Sequence, residues 1–265
     1  MRLADTIKKP ATLILLALLA LSGVAWWLIV RQSGITDASS SMSMDAMEDV
    51  RPSLNMGMSF GLYIGMWSLM MVAMMFPTAA PMILTFATIS HTRQSKGQSF
   101  VPAWFFVASY LALWILFGLI AYLVSVSANS LGDHFEALRS NGARIGGGIL
   151  LLAGLYQLSP LKTVCLSKCQ TPIDFIMRSW KDGYPGALQM GIKHGTYCFG
   201  CCWLLFIILI PLGVMNVVAM GLVTALIFAE KSLRYGRQIA YASGVILVVS
   251  GVIVLFVPHL LPSTL

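Results

Sequence analysis

The chain has 265 residues, 58% hydrophobic and 10% charged, with a formal charge of +7 and a mean hydropathy of +0.82. A soluble domain carries about 25% charged residues, so this chain cannot cover itself with polar surface and needs lipid as its solvent. Its Lys and Arg residues sit between apolar runs with no basic stripe interleaved with aromatics, which excludes a nucleic-acid-binding reading and fits topology signals and headgroup contacts.

An apolar run of about 17–25 residues is long enough to cross a bilayer. The first extends from Pro10 to Val30, behind Lys8 and Lys9. Gly23-Val24-Ala25 resembles a cleavage site, but Trp26 and Trp27 beside Arg31 fit an interfacial anchor, and the run is read as a retained span. Residues 31–58 are expected to form a flexible, acidic outer loop, with Met42, Met44 and Met47 interleaved with Asp45, Glu48 and Asp49. The second run, Phe60 to Ile89, exceeds one straight span, and Pro77 and Pro81 predict a kink or a discontinuous helix. Gly57, Gly61 and Gly65 repeat every four residues at its start, a spacing that suits close helix contact within the bundle or in a homo-oligomer.

The third run is Val101 to Val126, and the fourth is Ile145 to Leu158, ended by Pro160. Residues 161–187 turn polar and basic and are expected to form a cytoplasmic loop carrying Cys165 and Cys169. From Leu188 to Ala229 the chain is apolar for about twice a bilayer thickness. Pro211, Gly213 and Asn216 in its middle predict a hairpin of two short helices, Gly195–Ile210 and Met215–Ala229. The last run is Ile239 to Val257.

The predicted fold is therefore all-α: residues 1–265 form a single membrane domain, a polytopic transmembrane helical bundle of about seven spans. With the N-terminus in the cytoplasm, the inner segments hold Arg2, Lys8, Lys9, Arg93, Lys96, Lys162, Lys168, Arg178, Lys181, Lys193, Lys231, Arg234 and Arg237. The outer ones hold Arg31, Arg51, Arg139 and Arg144, a clear positive-inside bias.

Two clusters carry candidate chemistry. At 100° per residue, His194, Cys198, Cys201 and Cys202 fall within an arc of about 100° on one helix face. Thiols with an imidazole form a soft-metal set suited to Zn²⁺, Cu⁺ or an iron–sulfur cluster. Cys165 and Cys169, four residues apart, also share a helical face. On the cytoplasmic side the thiols stay reduced and a structural disulfide is not expected, with Cys165–Cys169 as a redox pair the alternative and a disulfide the leading one if the topology is inverted. The second cluster is a methionine ladder: Met66, Met70 and Met74 make one stripe, and Met71, Met75 and Met82 a second. Thioethers sit in lipid without a charge to desolvate and bind Cu⁺, although Met is also a common gap filler. Glu230-Lys231, at the inner end of the sixth run, reads as a snorkelling ion pair. There is no phosphate loop, no Ser–His–Asp order and no facing pair of carboxylates, so no catalytic residue is assigned.

These motifs resemble a bacterial family of predicted metal-binding integral membrane proteins. The matching stretches are Met66-Trp67 through Met70, Ala73-Met74-Met75 and Pro77; Cys165-Leu166 with Cys169 and Pro172; His194-Gly195 through Cys198 and Gly200-Cys201-Cys202-Trp203; Gly213-Val214-Met215-Asn216; and Glu230-Lys231. The resemblance implies a metal site in a multi-pass protein of the bacterial inner membrane, without fixing the metal or the activity. Where that family often has Arg after the second loop cysteine, this chain has Gln170.

The residues together point to a protein that binds Cu⁺, with zinc as the competing metal, for uptake, transfer or delivery to a metallochaperone or cuproenzyme partner. The expected ligands are His194, Cys198, Cys201, Cys202, Cys165 and Cys169, fed by Met66, Met70, Met74 and Met75. Two rival readings are a membrane redox enzyme or thiol oxidoreductase using the Cys/His cluster, and a structural partner subunit whose Cys and Met only pack, binding no metal.

Overall fold

The computed structural model describes residues 2–42, 59–134, 141–212 and 216–257, and the regular structure among them is entirely helical. Met44, Met47 and Gly57 lie outside the described residues, as does the side chain of Met42. Helix α1 spans Arg2–Met42, α2 Phe60–Gln94, α3 Ala103–His134, α4 Gly142–Gln157, α5 Pro160–Gln170, α6 Pro172–Ser179, α7 Gly183–Ile207, α8 Leu209–Leu212, α9 Val217–Ser232 and α10 Gly236–Phe256.

Four helical stretches are long and apolar enough to cross a membrane: Ala11–Ser33, Phe60–Gln94, Ala103–Ser127 and Gly236–Phe256. Helices α4 and α5, bent by 64° at their junction, make a fifth if the pair is one broken span. Length and composition alone thus mark four to five candidate spans, where hydropathy led to an expectation of about seven. Between 142 and 232 the chain is divided among several helices packed against one another, of which the α4–α5 pair alone meets that test.

The segment expected to be a polar loop is mostly helical. Ser159 accepts a hydrogen bond from the Lys162 N–H and Pro160 occupies the first turn, so α5 starts with a side-chain cap and a residue whose missing N–H costs nothing there. Where a hairpin of two helices was expected, the described residues form α7, α8 and α9, with 213–215 outside them and α7 beginning earlier than expected, at Gly183, whose φ of 77° suits glycine. Asn216 caps α9 by accepting from the Ala219 N–H at 3.0 Å.

Of the two outcomes expected for α2, a kink or a discontinuous helix, the second does not occur. The chain continues through Pro77 and Pro81 as one 35-residue helix. Proline at position 77 has no N–H for the carbonyl of Ala73, one turn back. That carbonyl instead accepts from Ser22 Oγ at 2.8 Å and Trp26 Nε1 at 3.1 Å, both on α1. Ser22 and Trp26 thereby satisfy the orphaned acceptor within the bundle. Trp26 is therefore a packing contact and not the interfacial anchor expected of it; Trp27 is exposed, with the Arg31 guanidinium 4.8 Å from its ring centroid.

Helices α4 and α10 meet closely through glycines. A Cβ on Gly154 would lie 2.6 Å from the Val248 backbone N, so nothing larger fits without moving a helix. Gly61 and Gly65, by contrast, face open space, so neither makes a close helix contact among the described residues.

A candidate metal centre

Helix α7 carries most of the candidate ligands. His194, Cys198, Cys201 and Cys202 are all buried, on the face turned toward the protein interior. Helix α3 packs along one side of α7 and α5 along another. Both α5 cysteines face α7: Cys169 Sγ lies 3.9 Å from Cys201 Sγ, and Cys165 Sγ rests against Gly200, where an added Cβ would come within 3.0 Å. All five thiols are free. A sulfur pair at 3.9 Å is far from the disulfide distance of about 2.05 Å. Two sulfurs each about 2.3 Å from one ion lie between about 3.8 Å apart in a tetrahedral arrangement and about 4.6 Å apart in a linear one.

The helical arc does not close into a four-ligand cage. Among the described residues, no group of three or more His, Cys, Asp or Glu side chains is arranged to hold an ion. Cys201 and Cys202 both donate to the Cys198 carbonyl, at 3.1 and 2.7 Å. Cys198 Sγ instead receives Lys231 Nζ at 3.0 Å and pairs with the Tyr110 hydroxyl at 3.1 Å. His194 is only 3% exposed, enclosed by the rings of Phe106, Tyr110 and Phe175 at 5.9, 5.5 and 5.8 Å, and neither ring nitrogen has a hydrogen-bond partner. Buried polar nitrogens normally find partners. An imidazole with two free positions beside buried thiols fits a soft cation.

Behind the sulfurs lies a buried ion pair. Lys162 Nζ and Glu230 Oε2 are 2.7 Å apart, with side chains 1% and 2% exposed. Lys162 also donates to the Cys201 carbonyl, joining α5, α7 and α9 at one ammonium group. Gln157 Nε2 donates to Glu230 Oε1 at 2.6 Å and to Ser243 Oγ at 2.9 Å, and Gln170 Nε2 donates to the Glu230 carbonyl at 2.6 Å. The reading of Glu230-Lys231 as a mutual, snorkelling pair is thus corrected: both are buried, and each has a different partner on a different helix. Sequence reasoning missed Lys162, Gln157 and Tyr110. Gln157 and Tyr110 are polar residues inside apolar runs, the one signal that marked them.

The methionines occupy the core of α2. Met70, Met71, Met74, Met75 and Met82 are buried and Met66 is half-buried. Met75 Sδ lies 3.9 Å from Thr78 Oγ1. They share one continuous buried cluster with the α7 cysteines, but α2 packs mainly on α1, α3 and α9, of which α3 and α9 also touch α7. A stacked series of rings, Phe86 on Phe106 at 5.1 Å and Phe106 on His194 at 5.9 Å, leads from α2 to the imidazole.

No curated protein and no solved structure matches this chain. A family model described as a copper chaperone, PpoB2, matches residues 64–254, a stretch that includes the methionine face of α2, all five cysteines, His194 and the Lys162–Glu230 pair. Because that match covers well over half of the sequence, the chain belongs to the PpoB2 copper chaperone family.

Proposed function

We propose that this protein is a copper chaperone embedded in the bacterial inner membrane, which takes Cu⁺ as cargo and delivers it to a cuproenzyme or partner protein. The observation that supports this most directly is the approach of Cys169 and Cys201 to 3.9 Å inside the protein, next to an imidazole with no partner. Thiolate and thioether donors select Cu⁺ over hard cations, and Cu⁺ is satisfied by few ligands. Cys169 and Cys201 hold the ion; Cys198, Cys202, Cys165 and His194, on the same two helices, are the further ligands between which it exchanges. Met66, Met70, Met74 and Met75 provide the weaker thioether positions from which copper arrives. Ligand strength rises from thioether to thiolate along that direction, which draws the ion inward.

This reading places the N-terminus in the cytoplasm. It also counts α7 and α9 as membrane-embedded together with the apolar spans, returning the total to about seven. The test is metal analysis and X-ray absorption on the purified full-length protein, beside Cys169→Ser with Cys201→Ser. The expected result is Cu⁺ bound through sulfur in the wild type and lost in the double variant. Zinc at one per chain, or copper retained without both sulfurs, overturns the assignment; an absence of metal in the wild type under copper loading points to a purely structural subunit.

A further inference from the structure

Among the described residues, the buried charged side chains are Lys162, Glu230 and Lys231. Lys162 and Glu230 neutralise one another at 2.7 Å. Lys231 is the remainder. It follows Glu230 in the chain, and the 100° step of the helix turns it from the carboxylate toward α7. There its Nζ lies 3.0 Å from Cys198 Sγ. Among the described residues, no carboxylate forms an ion pair with it. An isolated ammonium in a low-dielectric interior is costly, so its counter-charge has to come from the site it faces.

We propose that Lys231 sets the valence selectivity of the site: it is the fixed counter-charge that lets a monovalent ion rest on two thiolates, and it disfavours a divalent ion in the same place. This inference rests on the copper reading above. With Cys198 a neutral thiol that accepts from Lys231, two thiolates and Cu⁺ carry a net charge of −1, and Lys231 brings the buried site to zero. Two thiolates and Zn²⁺ are already neutral, and Lys231 leaves that site with one uncompensated positive charge. Each ligating thiol gives up its proton to solvent in either case, so those protons do not alter the comparison. Family membership alone does not assign this role to Lys231, which acts through charge and hydrogen bonding as a positioning residue, without contacting the ion.

The experiment compares wild type, Lys231→Met and Lys231→Arg, each full-length in detergent micelles. Cu⁺ and Zn²⁺ affinities are measured separately by competition with a colorimetric chelator for each metal. Lys231→Met is expected to weaken Cu⁺ binding by about tenfold or more, the size of a lost charge-assisted contact, while Zn²⁺ binding holds or tightens. Lys231→Arg restores the ratio. A structural role would lower both affinities together and leave their ratio unchanged, and that result overturns the inference, as does a Cu⁺ affinity unaffected by removing the charge. If Lys231→Met does not fold, Lys231→Gln, which keeps a hydrogen-bond donor without charge, gives the same ratio. A wild type that binds no Cu⁺ overturns the copper reading and this inference with it; a wild type that binds Cu⁺ with an unchanged ratio in the variants overturns the inference alone.

Discussion

A histidine deep in an apolar bundle has to be satisfied by something, and His194 is held by rings alone. Phe106, Tyr110 and Phe175 enclose it, and neither nitrogen has a partner. If packing were its whole purpose, a phenyl ring would serve better, because it has no polar atoms to desolvate. Replacing His194 by Phe is therefore expected to leave the melting temperature unchanged or to raise stability by about 1 kcal/mol. The same change should weaken Cu⁺ binding in a chelator competition. Unaltered copper affinity together with a raised melting temperature would make His194 a core residue and nothing more. The residue types of the site were legible in the sequence, since His194, Cys198, Cys201 and Cys202 share one arc and Cys165 with Cys169 another. Their partners were not. Whether Lys162 lies on a basic loop or inside a protein depends on α9 bringing Glu230 to it from 68 positions away, and no local pattern records that.

At the scale of elements, hydropathy located the long apolar helices well, because length and composition alone decide whether a segment suits lipid. It failed where neighbouring helices supply what a segment lacks. Helix α2 was expected to kink or break at its prolines, yet α1 provides two donors to the Ala73 carbonyl that Pro77 frees, and the helix continues without a break. This explanation predicts a coupling. Removing both donors, as Ser22→Ala with Trp26→Phe, leaves a buried carbonyl without a partner and should cost about 1–3 kcal/mol. Pro77→Ala returns an N–H to that carbonyl within the helix. In the Pro77→Ala background, loss of the α1 donors should then cost markedly less, and a double-mutant cycle on detergent unfolding reads the difference. Additive effects would show that Ser22 and Trp26 stabilise α1 packing in some other way. The segment 161–187 was expected to be a loop because it is polar, yet it is mostly helical: Lys162 and Gln170 reach interior partners on α7 and α9, while Arg178, Lys181 and Asp182 remain exposed.

For the whole molecule, the open question is which side of the membrane the site serves. The Arg93–Asp182 pair, at 2.6 Å, ties the end of α2 to the start of α7, and Gln170 ties the end of α5 to the end of α9. These contacts gather at one end of the bundle the segments that hold Arg93, Lys96, Lys168, Arg178, Lys181, Arg234 and Arg237. Positive charge concentrated at one end of a membrane protein marks its cytoplasmic side, because translocating such segments is disfavoured. Cys165 and Cys169 lie on α5, which ends in that region, so copper released from them would leave toward the cytoplasm. Lys181 is exposed in the turn before α7 and reports the orientation without disturbing the core. With cysteine in its place, a membrane-impermeant maleimide should label the protein in inverted vesicles and not in intact spheroplasts, above the background of the unsubstituted chain. Labelling from the spheroplast side would reverse the molecule in the membrane. The thiols would then stand nearest the oxidising compartment, where Cys169 and Cys201 would be exposed to disulfide formation and would no longer be dependable as thiolate ligands.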